Sequence, residues 1–284
     1  MRCVFCKKNS ENSKSVEHII PESLGNKEHI LGKGVVCDNC NNYFALKIEK
    51  IVLDKPYFKG LRHRNFIESK KGVIPRERAL IGGDFDIFID NNNGERSILI
   101  NNPNTVNKIK NKEVFHMIVP HFTEPTENDK DISRFLGKIA IEVLVHHLYP
   151  NQEWIDEITD KPELDSLKDY VRIGNKPNFW EYHQRRIYNE EDRFLNLKIS
   201  PEPYEVLHEF TLLHTDDFEL YLVIAIMGIE YSLNLSNPKI DGYKKWLIKN
   251  DYQTPLYDSN ERKIISDIKK GWQDGDSLRF FQNY

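Results

Sequence analysis

The chain has 284 residues, 39% hydrophobic and 30% charged, a balance typical of globular proteins rather than disordered or fibrous ones. Its longest apolar run, residues 220–228, is too short to span a bilayer, and its first ten residues lack the apolar stretch of a signal peptide. We therefore expect no membrane partner and a cytoplasmic location. The net charge of −4 hides an asymmetry, because residues 1–80 carry 16 Lys+Arg against 9 Asp+Glu. A basic front of this kind suits a polyanionic partner.

The first candidate site is a set of four cysteines, which are the only ones in the chain. They form two Cys-x-x-Cys pairs, Cys3 with Cys6 and Cys37 with Cys40. In a reducing compartment such pairs favour metal binding over disulfides, and four thiolates satisfy tetrahedral Zn²⁺. We predict a structural zinc, with a redox pair or incidental thiols as the alternatives. Four thiolates close the coordination sphere, so this zinc is not expected to be catalytic.

Three short elements are predicted around these cysteines. Residues 15–20 and 35–36 favour strands, and residues 41–53 favour a helix. Two strands and a helix are too small to form much of a core, so we expect the metal to stabilise them. The helix prediction rests on three apolar residues at helical spacing, Phe44, Ile48 and Ile51.

Between the cysteine pairs lies a Glu17-His18 pair, and Asn41 directly follows the last cysteine. A neutral imidazole is the natural general base near pH 7, while carboxylate and amide oxygens suit a hard divalent ion such as Mg²⁺ or Mn²⁺. Adjacent strand residues point to opposite faces, so Glu17 and His18 require a local twist to act on one group. Asn41 would alternatively cap the helix, a role for which Asn42 competes, so either amide could be the ligand.

Taken together, Cys-x-x-Cys, Glu-His-Ile-Ile-Pro, Leu-Gly-Asn and Val-Cys-x-x-Cys-Asn-Asn-x-Phe resemble the HNH endonuclease family. The resemblance is to its branch with a zinc-binding treble-clef ββα-metal finger, and it covers residues 1–55. It implies that His18 is the general base, that Glu17 and Asn41 bind the catalytic Mg²⁺ or Mn²⁺, and that the four cysteines hold structural zinc.

One position departs from the family pattern. Members carry a middle Asn, in the loop before the second cysteine pair, that braces the catalytic base. Residues 30–36 contain no Asn here. Either Asn26 or the loop backbone could substitute, and the sequence does not choose between them. His29, in the same loop, is interpreted as a surface histidine.

Residues 56–79 form a basic connector. Lys59, Arg62 and Arg64 are interleaved with aromatic residues, which suits a strand or loop lying along a phosphate backbone. A solvated linker is the alternative interpretation. We predict that these three cations contact nucleic acid with little sequence discrimination.

Residues 80–284 are predicted to form an α+β domain with antiparallel strands. Residues 85–89 and 97–100 flank Asn-Asn-Asn-Gly, a strong hairpin signal. The alternating Asp84, Asp86 and Asp90 are interpreted as a solvent-facing edge rather than a second site. The other predicted elements are strands at 114–119, 204–213, 219–226 and 229–235, and helices at 134–148 and 261–270.

These features lead to two hypotheses. The first is a metal-dependent DNA endonuclease, with RNA left open, in which residues 80–284 select the substrate, sense a signal or mediate assembly. Restriction or anti-phage defence is the setting suggested by family analogy. Double-strand cleavage would favour a homodimer or sequential nicking, because one site cuts one strand at a time. The second hypothesis is a non-catalytic zinc-knuckle protein that binds nucleic acid or acts as an adaptor.

Overall fold

The computed structural model describes residues 1–81, 84–92, 95–113, 116–175 and 177–265. The chain forms two compact units. The first contains Met1–Tyr182 and Leu233–Ile240, and the second contains His183–Ser232 and the chain from Asp241 onward. The predicted α+β class with antiparallel sheets is confirmed. The predicted division into residues 1–55, 56–79 and 80–284 stays a prediction.

The first unit begins with a two-stranded antiparallel sheet of β1 (Glu17–His18) and β2 (Ile30–Leu31). The first strand lies inside the predicted range, but the predicted second strand at residues 35–36 was wrong. Val36 forms only an isolated bridge with Lys33. Val35 and Val36 are both buried, so their apolar character serves the core rather than a strand pair.

A continuous helical stretch follows, made of α1 (Asp38–Phe44), a π-helical segment (Ala45–Glu49) and α2 (Lys50–Leu53). It begins three residues before the predicted start. Phe44, Ile48 and Val52, which are four residues apart, are buried, as are Cys40 and Leu53, whereas the predicted core residue Ile51 is 39% exposed. The wider turn of a π-helix keeps residues four apart on one face, which explains why Val52 replaces Ile51.

Residues Pro56–Arg64 form helix α3, so the predicted extended connector was wrong there. Pro56 stands at the first helical position, where its fixed φ and missing N–H cost nothing. A four-stranded antiparallel sheet follows in the order β5-β4-β3-β6, with helix α4 after β5. Its elements are β3 (Glu77–Ile81), β4 (Asp84–Asn92), β5 (Glu95–Ile100), α4 (Pro103–Lys110) and β6 (Met117–Ile118).

The predicted hairpin is confirmed by the antiparallel pairing of β4 with β5, from Ile87 opposite Ile100 to Asn92 opposite Glu95. Its central turn residues, 93–94, lie outside the described part of the chain, as do residues 114–115 of the predicted strand at 114–119. Only β6 forms in the rest of that range.

Three helices complete this unit: α5 (Lys130–Leu148), α6 (Gln152–Asp160) and α7 (Asp165–Ile173). Helix α5 begins four residues before the predicted start because the Asp129 carboxylate accepts hydrogen bonds from the N–H groups of Asp131 and Ile132. A Cβ at Gly137 would lie 2.9 Å from a methyl of Val171, so this glycine permits close packing of α5 on α7. Helices α6 and α7 were not predicted.

The second unit is built on antiparallel strands. One sheet has the order β7-β11-β10-β9, and β12 pairs with β8. The elements are β7 (Tyr182–Arg186), β8 (Arg193–Leu195), β9 (His208–His214), β10 (Leu220–Ile226), β11 (Ile229–Asn234), α8 (Asp241–Lys249) and β12 (Lys263–Ile265). Strands β9 to β11 confirm the three predicted at 204–235, although the first begins at His208.

The predicted helix at residues 261–270 was wrong over its described part, because residues 263–265 pair with β8 as a strand. Residues 266–270 lie outside the described chain. Arg262 lies over the rings of Phe194 and Tyr257, at 4.2 and 3.7 Å, and forms a double hydrogen bond with Glu209. These contacts fix the segment beside β8. Across the described ranges, no helix is both long and apolar enough to cross a membrane.

Candidate functional site

The four cysteines converge at one point of the first unit. Their Sγ atoms all lie within 4.8 Å of one another, and those of Cys6 and Cys37 are 3.7 Å apart. All four are free thiols. The prediction that they could hold a structural metal such as zinc is supported, whereas a pair of disulfides is not formed.

The pKa of one of these thiols is lowered, which favours metal binding. Hydrogen bonds from the Cys40 thiol and from nearby backbone N–H groups lower the pKa of Cys3 to about 4, against the effect of burial. A thiolate rather than a thiol is the form that binds zinc. The first Cys-x-x-Cys turn is closed by the hydrogen bond from Lys7 N–H to Cys3 O, at 2.8 Å, with Lys7 in the left-handed region.

Strand β1 presents Glu17 and His18 differently. Glu17 is 5% exposed, while His18 is half-buried. Burial, with a further contribution from the Lys70 ammonium, lowers the pKa of His18 from its ordinary 6.5. The imidazole is therefore neutral at neutral pH, the form that accepts a proton. Its Nδ1 is buried with no hydrogen-bond partner among the described residues.

Asn41 faces β1. Its Nδ2 donates a hydrogen bond of 2.9 Å to the carbonyl oxygen of Val16, the residue before Glu17. Helix α1 begins at Asp38 after Cys37, so Asn41 does not cap it. Asn42 is exposed. The structure thus separates two asparagines that the sequence left equivalent, since Asn41 contacts the strand that carries the Glu-His pair.

Asn26 braces the loop between β1 and β2 and is fully buried. Its Nδ2 donates to the carbonyl oxygens of Ile20 and His29, at 2.7 and 2.9 Å. Its Oδ1 accepts from the N–H groups of Glu28 and His29, at 3.1 and 2.9 Å. The same His29 carbonyl accepts from Ile19 N–H at 3.1 Å, so Asn26 supports the strand directly after His18 through the backbone.

A buried lysine lies against β1, and sequence reasoning missed it. Lys138 of α5 is 0% exposed, and its Nζ lies 2.7 Å from Glu17, 2.8 Å from Glu49 and 3.0 Å from Glu142. Burial lowers the pKa of Lys138, but the three carboxylates together raise it well above its ordinary value. Burial raises the pKa of Glu17 and of Glu142. The i,i+4 spacing of Lys138 and Glu142 could be read from the sequence, but the contact of Lys138 with Glu17 could not.

Of the three cations predicted to contact nucleic acid, Arg62 is only 7% exposed, which does not suit a phosphate contact. Burial lowers the pKa of Arg62. Lys59 and Arg64 are partly exposed on α3. Lys70 was not singled out, yet its side chain is 67% exposed and its charge acts on His18.

The remaining histidines and acidic residues do not form a second metal cluster within the described ranges. His63 is buried, with Nδ1 2.9 Å from the carbonyl oxygen of Pro75 and Nε2 3.1 Å from Asn91 Nδ2. Asp90 is 5% exposed and 3.2 Å from Arg76, so its predicted solvent-facing position was wrong. The side chains of Asp84 and Asp86 lie outside the described part of the structure.

A cavity of about 690 Å³ opens beside the cysteine cluster. Three of the four cysteines line it, whereas Glu17 and His18 do not. Its lining includes Lys8, Asn12, Asp38, Tyr43 and Arg172.

The thiol cluster, the Glu-His strand and the helical stretch that contains the last cysteine all fall within the first 55 residues. Residues 3–55 match the family model for HNH endonucleases. The resemblance seen in the sequence motifs is confirmed for this part of the chain, which we call the HNH segment. No curated protein and no solved structure matches the chain. The HNH segment carries every predicted catalytic and cysteine residue, whereas Lys138 and Glu142 lie outside it.

Proposed function

We propose that this protein is a metal-dependent endonuclease that hydrolyses DNA phosphodiester bonds. The observation that carries the proposal is the match of residues 3–55 to HNH endonucleases, with Glu17 and His18 on a strand that Asn41 contacts. The family match over residues 3–55 supports nuclease activity and nucleic-acid binding. The substrate, the metals and the residue roles below are our proposals.

His18 is the proposed general base. Its half-buried, neutral imidazole accepts a proton from the attacking water, and the hydroxide oxygen forms a bond to phosphorus. The bond from phosphorus to the leaving oxygen then breaks. The lowered pKa of His18 supports this role because the base is unprotonated at neutral pH.

Glu17 and Asn41 are the proposed ligands of a catalytic Mg²⁺ or Mn²⁺. The donor set fits a hard cation: Glu17 Oε2 is buried and has no hydrogen-bond partner among the described residues, and the Asn41 amide donates through nitrogen, which leaves its oxygen for a ligand. When bound, such an ion neutralises charge on the phosphate and the leaving oxygen. A Zn²⁺ in the cysteine cluster would be structural, since four thiolates leave no open position.

For substrate binding we propose Lys59 and Arg64, together with Lys70 beside His18. Cations of this kind position a nucleic-acid backbone without reading its sequence. We propose restriction or anti-phage defence as the biological setting, by analogy with stand-alone HNH proteins that carry an extra domain. A phage-challenge assay of cells with and without the intact His18 tests that setting.

One observation favours the alternative of a non-catalytic nucleic-acid-binding or adaptor protein. Glu17 is 5% exposed and paired with Lys138, an arrangement that would also suit a purely structural carboxylate. Under this alternative, the wild-type protein would not cleave nucleic acid, and substitution of His18 or Asn41 would leave nucleic-acid binding intact.

The test is incubation of zinc-loaded protein with supercoiled plasmid in Mg²⁺, Mn²⁺ or EDTA, with RNA as a second substrate. We expect cation-dependent nicking that falls by about 10²-fold or more in His18→Ala, as loss of a general base predicts. Asn41→Ala should also lose activity, whereas the exposed neighbour Asn42→Ala is the matched control and should not. Binding without cation-dependent cleavage would instead support the adaptor.

A further inference from the structure

The ammonium of Lys138 touches two consecutive residues of β1. Its Nζ lies 2.7 Å from Glu17 Oε1 and donates to the backbone carbonyl oxygen of His18 at 3.1 Å. Two more carboxylates, of Glu49 and Glu142, lie within 3.0 Å of the same nitrogen. Lys138 belongs to α5, far along the chain from the HNH segment.

These contacts restrain a strand that has little else to restrain its side chains. β1 is two residues long and pairs only with β2 across the described chain. Backbone pairing fixes the register of Glu17 but leaves its carboxylate free to rotate. The contact with Lys138 fixes Oε1, so Oε2 is the carboxylate oxygen left for another ligand.

A structural role alone does not explain the composition of the cluster. One ammonium is surrounded by three carboxylates, and burying such charges costs more than burying apolar residues of the same size. Lys168, the other fully buried lysine described in this unit, shows the contrast. Its Nζ donates to the carbonyl oxygens of Ile158 and Thr159 and lies 3.8 Å from a single carboxylate, that of Asp165, and none of these contacts is with β1.

We propose that Lys138 is a positioning residue of the nuclease site. It holds Glu17 by Oε1 and the His18 backbone by its carbonyl, so that Glu17 binds the divalent ion through Oε2 alone. The inference rests on the proposed function and extends it, because it assigns part of the site to α5. The HNH segment by itself therefore lacks a component of its own active site.

The test uses the full, zinc-loaded chain and measures Mn²⁺ affinity by electron paramagnetic resonance together with the rate of plasmid cleavage. Lys138→Met alone leaves buried carboxylates without a cation and is expected to be poorly folded. Lys138→Met with Glu142→Leu removes the ammonium together with the one carboxylate of the cluster that is fully buried, so the formal charge is unchanged, and the side chains of the two remaining carboxylates, Glu17 and Glu49, are 5% and 16% exposed. We expect this double variant to keep its zinc and its fold, and to bind Mn²⁺ and cleave about 10–100-fold less well.

The matched control is Lys168→Met, which removes a buried lysine of the same unit away from β1. It should lower stability and leave the Mn²⁺ affinity unchanged. A folded double variant with the wild-type affinity and rate would overturn the inference while leaving the nuclease proposal intact. An equal loss of affinity in Lys168→Met would also overturn it, whereas a wild-type protein that neither binds Mn²⁺ nor cleaves would reject the proposed function itself.

A second measurement needs no variant. In wild-type protein with ¹⁵N-labelled lysine, Mn²⁺ should broaden the ammonium signal of Lys138 more strongly than that of Lys168. A Lys138 signal that is unaffected at Mn²⁺ concentrations sufficient for full cleavage would overturn the inference.

Discussion

Asn26 offers a quantitative test of how the loop between β1 and β2 holds the Glu-His strand. Its side chain is fully buried and makes four hydrogen bonds, all to the backbone. Asn26→Asp keeps the two accepted bonds and loses the two donated ones. At about 1 kcal/mol for each bond, we expect a loss of at least about 2 kcal/mol in the free energy of unfolding for Asn26→Asp, because its carboxylate oxygen also faces two carbonyl oxygens at a buried position, and about 4 kcal/mol for Asn26→Ala.

The assay combines urea unfolding with hydrogen exchange at the amides of Ile19 and His29. The Ile19 amide donates to the His29 carbonyl, so its protection reports the position of the strand after His18. Both variants should lower the protection of the Ile19 amide. The control is Asn42→Ala, which changes an exposed asparagine. If Asn26→Asp were as stable as the wild type with unchanged protection at Ile19, the reasoning that Asn26 braces the strand would be refuted.

Three further outcomes are expected. Zinc removal by a chelator, or Cys40→Ser, should unfold the HNH segment, because a structural zinc contributes about 10 kcal/mol or more to folding. Unfolding would be seen as a loss of circular dichroism together with the loss of bound zinc, and an HNH segment that stays folded without metal would contradict the prediction. Phe44→Ala should cost about 3–5 kcal/mol, since Phe44 is 0% exposed, whereas Leu46→Ala on the same helical stretch, where Leu46 is 52% exposed, should cost far less in the same urea titration. Burial, with the charge of Arg185, places the pKa of His183 below its ordinary 6.5. The unfolded chain therefore binds the proton first, so stability should fall as the pH drops below 6.5, and thermal melts of His183→Gln should show less of this loss.

Local patterns could be read because each depends on residues close together in the chain. The two Cys-x-x-Cys pairs and the Glu-His-Ile-Ile-Pro segment identified the HNH segment, as the family match confirms. The antiparallel pairing of β4 with β5 followed from alternating apolar residues on either side of an Asn-Gly pair in the sequence. The three C-terminal strands followed from their apolar runs.

Errors arose where burial or pairing depended on distant residues. Residues 35–36 looked like a strand because they are apolar, yet residues 30–31 supply the pairing. Residues 263–265 looked helical and instead pair with β8. Arg62 looked like a surface cation and is buried. In each case the local sequence pattern is compatible with two structures or two degrees of burial, and tertiary packing decides which one forms.

The sequence by itself determined the features that lie in short spacings: four cysteines at the spacing of metal ligands, a histidine beside a glutamate, and an asparagine after the last cysteine. Only the tertiary structure decided which asparagine faces the strand, how Asn26 braces the loop, and that Lys138 holds Glu17. The physical reason is distance along the chain. The spacing of metal ligands depends on residues that are close together in the chain. The Lys138–His18 hydrogen bond joins residues 120 positions apart, so it forms only once α5 has packed against β1.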